Sequence, residues 1–146
     1  MHLHPLPPPA VLVAGFIEDV WNGRQFHKAA DYFHPAYRDH SVPPNFPAGP
    51  AGTLRWIEKT GESFIHRTQI EETITEGGTV VLRVRLHLKH TGPWRGIEPT
   101  GAEVSTTGFR VFRVEGGKIT EHLALIDGES LEKQLKGHAK ACALPV

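Results

Sequence analysis

Apolar positions along the chain follow two periods, one helical and one extended. Val11, Leu12, Phe16, Ile17, Val20 and Trp21 recur at spacings of one, three and four, which marks one face of an amphipathic helix. Pro8 and Pro9 suit its start and Asn22-Gly23 its end. Phe26, Ala29, Ala30 and Phe33 share a face in a second, short helix over residues 25–33, stopped by His34-Pro35. Residues 36–52 hold Pro43, Pro44, Pro47 and Pro50 and predict an irregular loop or a short extended segment. Leu54, Trp56, Ile57, Phe64 and Ile65 predict a third helix over residues 53–66, with Gly61 as a weak point in its middle.

From Thr68 onward the period becomes two. Val80, Leu82, Val84, Leu86 and Leu88 alternate with Val81, Arg83, Arg85, His87 and Lys89, the pattern of a half-buried strand bounded by Gly77-Gly78 and Thr91-Gly92-Pro93. Further strands are expected over residues 103–114 and 118–126, joined by Glu115-Gly116-Gly117, and a last helix over residues 129–135. Helices followed by antiparallel strands predict one α+β domain, with helices covering one face of a curved sheet that can fold around a pocket. Its expected span is residues 9–136, between a flexible proline-rich leader (1–8) and a tail (137–146).

Composition narrows the function classes. The 146 residues carry 16 Lys+Arg against 16 Asp+Glu, a net charge of zero that gives no field for nucleic-acid binding. A single cysteine, Cys142, excludes an internal disulfide and a cysteine-rich zinc site. The ten histidines lack metal-binding spacing: no His-Glu-x-x-His occurs, and His2/His4 and His87/His90 are wrongly spaced or placed. Neither a dinucleotide fingerprint, a P-loop nor a Gly-x-Ser-x-Gly elbow is present. The start has no basic n-region and no stretch has the length of a membrane span, so the expectation is a cytoplasmic protein that requires neither metal nor cofactor.

The ordered segments His90-Thr91-Gly92, Gly96-Ile97-Glu98-Pro99-Thr100-Gly101, Phe112-Arg113, Gly117-Lys118-Ile119-Thr120-Glu121-His122, Asp127 and Gln134-Leu135, with the earlier Phe33-His34-Pro35-Ala36-Tyr37, resemble the SnoaL-like polyketide cyclase family. The resemblance runs from about Val11 to Leu135. It implies the cone-shaped α+β barrel shared with nuclear transport factor, scytalone dehydratase and ketosteroid isomerase. In that fold a mostly antiparallel sheet wraps around N-terminal helices and encloses a central pocket. It also implies a homodimer formed through the sheet. Those cyclases carry an acid/base Asp two residues after the His of the last strand, and that position is Ala124 here; a cavity His one strand earlier falls on Arg110.

Strand alternation puts Thr120, His122, Ala124 and Ile126 on one face of the last strand, which the resemblance assigns to the cavity, and Glu121, Leu123, Leu125 and Asp127 on the other. On the neighbouring strand Thr106, Gly108, Arg110 and Phe112 face inward by the same argument. A permanent cation among apolar side chains needs a carboxylate, a polar network or an anionic ligand. The best partner is Asp39, at the place where the family puts a polar cavity residue. Asp39, His122 and Arg110 together suit enolisation beside a carbonyl, with Asp39 or His122 moving the proton and Arg110 holding the oxyanion.

Bland readings stand beside these. Asp39 as a turn cap or a partner of Arg38, His122 as a strand histidine bonded to backbone, and Arg110 as an ion pair with Glu121 or Asp127 all fit the sequence. His40, Trp56, Phe64, His90, Trp94, Phe112 and Ala124 are the candidates for contact with a small hydrophobic ligand, Trp94 as a lid. Arg83, Arg85, His87 and Lys89 read as a solvated or dimer-facing outer strand face. The leading expectation is an acid/base enzyme (cyclisation, isomerisation or dehydration) acting on a hydrophobic carbonyl metabolite. The alternative is a non-catalytic binding or accessory protein that lost its acid at Ala124.

Overall fold

A computed structural model describes residues 5–143. The first helix, α1 (Pro9–Phe16), opens with Pro9 in the first turn, where a missing N–H costs nothing, and the amides of Val11 and Leu12 bond the Pro8 carbonyl. It continues without a break into a π-helical segment, Ile17–Asn22, whose wider turn ends when the Gly23 amide bonds the Glu18 carbonyl. Buried positions are the pairs Leu12/Val13, Phe16/Ile17 and Val20/Trp21. Val11, expected on the apolar face, points outward, and Val13 takes its place, because doublets four apart stack on one side.

The expected second helix shrinks to a 3-10 segment, Phe26–Asp31, and residue 33 already belongs to a strand. Strand β1 (Phe33–Asp39) lies at the start of the region read as irregular. Pro35 is tolerated there because β1 is an edge strand, bonded only to β5. Helix α2 (Pro50–Ser63) begins and ends three residues earlier than expected. Pro50 sets its first turn, and Phe64 is already extended at φ −142°, ψ 144°. Strand β2 (Phe64–Glu76) claims Phe64, Ile65 and His66, which pair with His90, Lys89 and Leu88.

The remaining strands are β3 (Thr79–His90), β4 (Glu103–Glu115) and β5 (Lys118–Ile126). The sheet order is β1-β5-β4-β3-β2, antiparallel except for the parallel β1/β5 pair, and the sheet is open because β1 and β2 do not meet. Its inner face carries Val80, Leu82, Val84, Leu86, Leu88, Phe112 and Val114, packed against Phe16, Ile17, Val20 and Trp21. A register shift between Arg113 and Val114 puts Ile119, not Thr120, on this face. Arg83 and Arg85 bond Glu71 and Glu72 across the β2/β3 pair, so half of the basic row is neutralised within the sheet.

Helix α3 (Gly128–Ala143) starts with the Asp127 carboxylate accepting from the Ser130 amide at 2.9 Å, and it runs well past residue 135. Residues 137–143, expected as a tail, are therefore helical. Of the expected leader, residues 5–8 have no regular secondary structure and are exposed; residues 1–4 and the chain end 144–146 lie outside the described residues. None of the described helices is long and apolar enough to cross a membrane.

Candidate functional site

Two strand registers assemble the polar centre. In the parallel β1/β5 pair Asp39 stands opposite His122, and the His40 amide bonds the His122 carbonyl at 2.8 Å. In the antiparallel β4/β5 pair Phe112 stands opposite His122 and Arg110 opposite Ala124, so Arg110 is the diagonal neighbour of His122 on the same face. The three side chains form one line: His122 Nδ1 is 3.0 Å from Asp39 Oδ2, and Arg110 Nη1 is 3.2 Å from His122 Nε2. A guanidinium only donates, so His122 Nε2 accepts and the imidazole proton sits on Nδ1, donated to Asp39. No direct Asp39–Arg110 bond forms; the imidazole stands between the two charges. Exposures of 5% for Asp39, 3% for Arg110 and 3% for His122 place the whole line in the interior.

Asp39 is saturated with donors. Oδ1 accepts from the Ser41 amide at 2.9 Å and the Ser41 hydroxyl at 2.7 Å, and Oδ2 from the Thr53 hydroxyl at 2.7 Å and from His122. Thr53 spends its proton on Asp39, so Tyr37, at 2.8 Å, donates to the Thr53 oxygen, and Tyr37 also lies 3.3 Å from Asp39 Oδ2. Burial pushes the Asp39 carboxyl up, but the bonds from His122 and Ser41 outweigh it and hold the group well below the usual carboxylate range. Burial lowers His122, and Arg110 adds to this against the opposing bond to Asp39, so the imidazole is neutral. Arg110 is lowered by burial to about 10 and remains a cation at neutral pH. Tyr37 is raised, chiefly by burial and by the Asp39 charge.

Apolar surfaces frame this line. Phe112 stacks on His122 with ring centres 4.6 Å apart and planes 28° apart, and the Arg110 guanidinium lies 4.3 Å from the centre of the Trp21 ring. Phe112 and Ala124 therefore border the polar centre. His40 does not: it is exposed and bonds Glu121 at 3.0 Å on the outer side. The structure groups Phe64, His90 and Trp94 around a different point. Phe64 packs 5.4 Å from His90 and 5.6 Å from Trp94, and Trp56 lies against Phe46 at 5.7 Å. His90, expected at a pocket mouth, is fully buried, with Nδ1 accepting from the Thr100 amide at 3.1 Å. Trp94 is half-buried, bridged through backbone bonds to Ile97 and covered by Arg95 at 4.5 Å.

Sequence reasoning missed Tyr37, Ser41, Thr53 and Trp21 as members of the site. Tyr37 and Ser41 fall in the stretch read as irregular, and Thr53 at the edge of a helix; the alternation of Tyr37 with Asp39 could have marked Tyr37, and no local period marks Ser41 or Thr53. Glu121 bonds His40 and Arg113 on the outer face, and Asp127 caps α3, so neither partners Arg110. A groove of about 640 Å³ crosses β2, β3 and β4, lined by Ile65, Arg67, His87, Lys89 and Gln134. It contains no member of the Asp39–His122–Arg110 line. Among the described residues no group of three His, Cys, Asp or Glu is placed to hold a metal.

The fold is shared with solved structures. TsrD from Streptomyces laurentii is similar over 90% of this chain and 98% of its own, with 23% identity and a TM-score of 0.77. IdmH from Streptomyces antibioticus is similar over 89% and 99%, with 23% identity and a TM-score of 0.81. A SnoaL-like chain from Jannaschia sp. CCS1 covers 99% of both chains, with 19% identity and a TM-score of 0.78. A comparison with curated proteins found no significant match. The family model matches residues 11–135, the whole of the sheet and the helices that line it up to Leu135, and on that span the chain belongs to the SnoaL-like polyketide cyclase family.

Proposed function

We propose that the protein is an acid/base enzyme acting on a small hydrophobic carbonyl compound, with Asp39, His122 and Arg110 as its machinery. The observation that carries this reading is the buried line of hydrogen bonds from Asp39 through His122 to Arg110. At rest the basic Nε2 of His122 is covered by Arg110. A substrate carbonyl oxygen that takes the Arg110 N–H uncovers Nε2 in the same movement. Nε2 then removes a proton from the carbon beside the carbonyl: the C–H bond breaks, an N–H bond forms, and the electron pair becomes an enolate whose oxygen charge rests on Arg110. Asp39, already ionised, stabilises the imidazolium and keeps the ring oriented. Return of the proton elsewhere, attack of the enolate on a second carbonyl, or loss of a neighbouring hydroxyl would give isomerisation, cyclisation or dehydration.

The test is deuterium exchange at the methyl group of 2-acetylnaphthalene in D2O, followed by NMR. His122→Gln and Asp39→Asn are expected to slow protein-catalysed exchange by about 10²-fold or more. Equal exchange by wild type and both folded variants would overturn the proposal.

We further infer a homodimer through the outer sheet face. Ile74 and Leu123 are exposed on this face, and Phe109 and Leu125, directly paired across β4 and β5, are 52% and 73% exposed. Apolar side chains contiguous across strands are the usual mark of an interface.

A further inference from the structure

Four buried side-chain nitrogens have no hydrogen-bond partner among the described residues; His90 Nε2 belongs to the separate Phe64 cluster, and the other three are Trp21 Nε1, His66 Nε2 and Arg110 Nε. These three belong to one neighbourhood, since the Arg110 guanidinium lies 4.3 Å from the centre of the Trp21 ring and the Trp21 and His66 rings are 6.0 Å apart. Trp21 is 2% exposed and Arg110 3%, so solvent does not serve them. Buried donors are nearly always paired in native proteins, and an unpaired cluster is a place where a bound group belongs. Indole Nε1 and guanidinium Nε are donors only, so the group they suit presents a lone pair. His66 is pushed down to about 4, by burial first and then by Arg24 and Arg110, and its neutral ring can donate from Nε2 as well.

The chain builds this arrangement deliberately. The π-helical turn carries Trp21, and Asn22 next to it locks onto β2: its side-chain amide donates to the Thr68 carbonyl at 2.9 Å and accepts from the Thr68 amide at 2.7 Å. Trp21 is thereby held against the strand that bears His66. The carboxylate that acts on Arg110, Asp39, is bonded to the His122 ring that stands between the two.

We propose that Trp21 Nε1, Arg110 Nε and His66 Nε2 form an anchoring subsite for an acceptor oxygen of the ligand, a carbonyl or a carboxylate, distinct from the Arg110 Nη1 edge that faces His122. The inference rests on reading this interior as the ligand site, and it makes Trp21 and His66 binding residues. Arg110 then serves two oxygens, one at each edge of its guanidinium.

The probes are 2-acetylnaphthalene, 2-naphthoate and 2-ethylnaphthalene, equal in shape but not in acceptor, titrated into the full chain with the Trp21 indole proton followed by NMR. The ketone or the carboxylate is expected to move that proton downfield and the hydrocarbon to leave it in place, and whichever binds more tightly identifies the oxygen. Trp21→Phe keeps an aromatic ring beside Arg110 and removes the N–H together with part of the ring surface, a loss that 2-ethylnaphthalene reports alone, so it is expected to weaken the preferred oxygen probe about tenfold and 2-ethylnaphthalene less than about twofold. An indole proton unmoved at saturation, an oxygen preference unchanged in Trp21→Phe, or no binding by any probe would each overturn the subsite. Failure here is separable from failure of the catalytic reading: exchange that still requires His122 while the indole proton stays fixed removes the subsite alone. A shifted indole proton with exchange indifferent to His122→Gln removes the proton-transfer reading alone.

Discussion

At the residue scale, Asp39 carries the most consequence, because four donor groups converge on its two oxygens from the loop after β1, from α2 and from β5. Truncation leaves His122 and Thr53 buried with donors and no acceptor, and Arg110 without its countercharge. Asp39→Ala is therefore expected to lower unfolding free energy by about 3–5 kcal/mol in urea titration, and a loss below about 1 kcal/mol would contradict this account. The same groups set the pH response. His122 and His66 are lowered in the fold, so between the unfolded value of about 6.5 and their folded values the unfolded chain binds protons that the folded chain refuses. Stability is thus expected to decline as pH falls from about 6.5 toward 4. Asp39, lowered in the fold, adds a further loss below about pH 4, where the unfolded carboxylate protonates first. Urea midpoints at pH 7.5, 6 and 5 measure the upper window, and His66→Gln should flatten part of the slope; a midpoint constant across it would exclude the assignment. Of these residues, alternation along β4 and β5 made Arg110 and His122 legible as inward neighbours, and the family resemblance added Asp39. The other donors on Asp39, Ser41 and Thr53, were not legible although they lie only 2 and 14 positions from it, since their stretch shows no clean period.

Elements differ in how openly the chain writes them. β3 reads directly because every inward position from Val80 to Leu88 is aliphatic and glycine turns lie beyond both ends. β1 does not, since an edge strand with one partner and a proline inside it shows no clean period, and β2 was confused with the end of α2 because Phe64 and Ile65 suit either element until His90 and Lys89 claim them. The π-helical turn is invisible for a different reason: its wider winding depends on Asn22 being held by Thr68, a contact with another element. Asn22→Ala is expected to cost about 1–3 kcal/mol through two lost bonds to backbone. It should also accelerate amide exchange at Thr68, while exchange unchanged at that amide would show that the turn stands without the clamp.

At the scale of the whole molecule, the sheet divides its labour between faces, the inner one closing over the polar line and the outer one carrying the apolar pairs Phe109/Leu125 and Val111/Leu123. The outer face predicts sedimentation at twice the monomer mass. Leu125→Glu is expected to shift the protein to a monomer without loss of fold, since the side chain is 73% exposed. A wild-type monomer at micromolar concentration would refute the dimer. What the sequence determined by itself was the class of fold, the inner faces of β4 and β5 and the identity of two polar residues on them. Periodicity is a local property, set by the two-residue repeat of a strand and the near-four-residue spacing of a helix. Only the tertiary structure decided that Asp39 reaches Arg110 through His122, that His40 lies outside and His90 in a separate cluster, and that Trp21 packs against both the Arg110 guanidinium and His66. Those relations come from register and from a parallel pairing between the first and last strands, and no local repeat encodes which distant partner a strand will find.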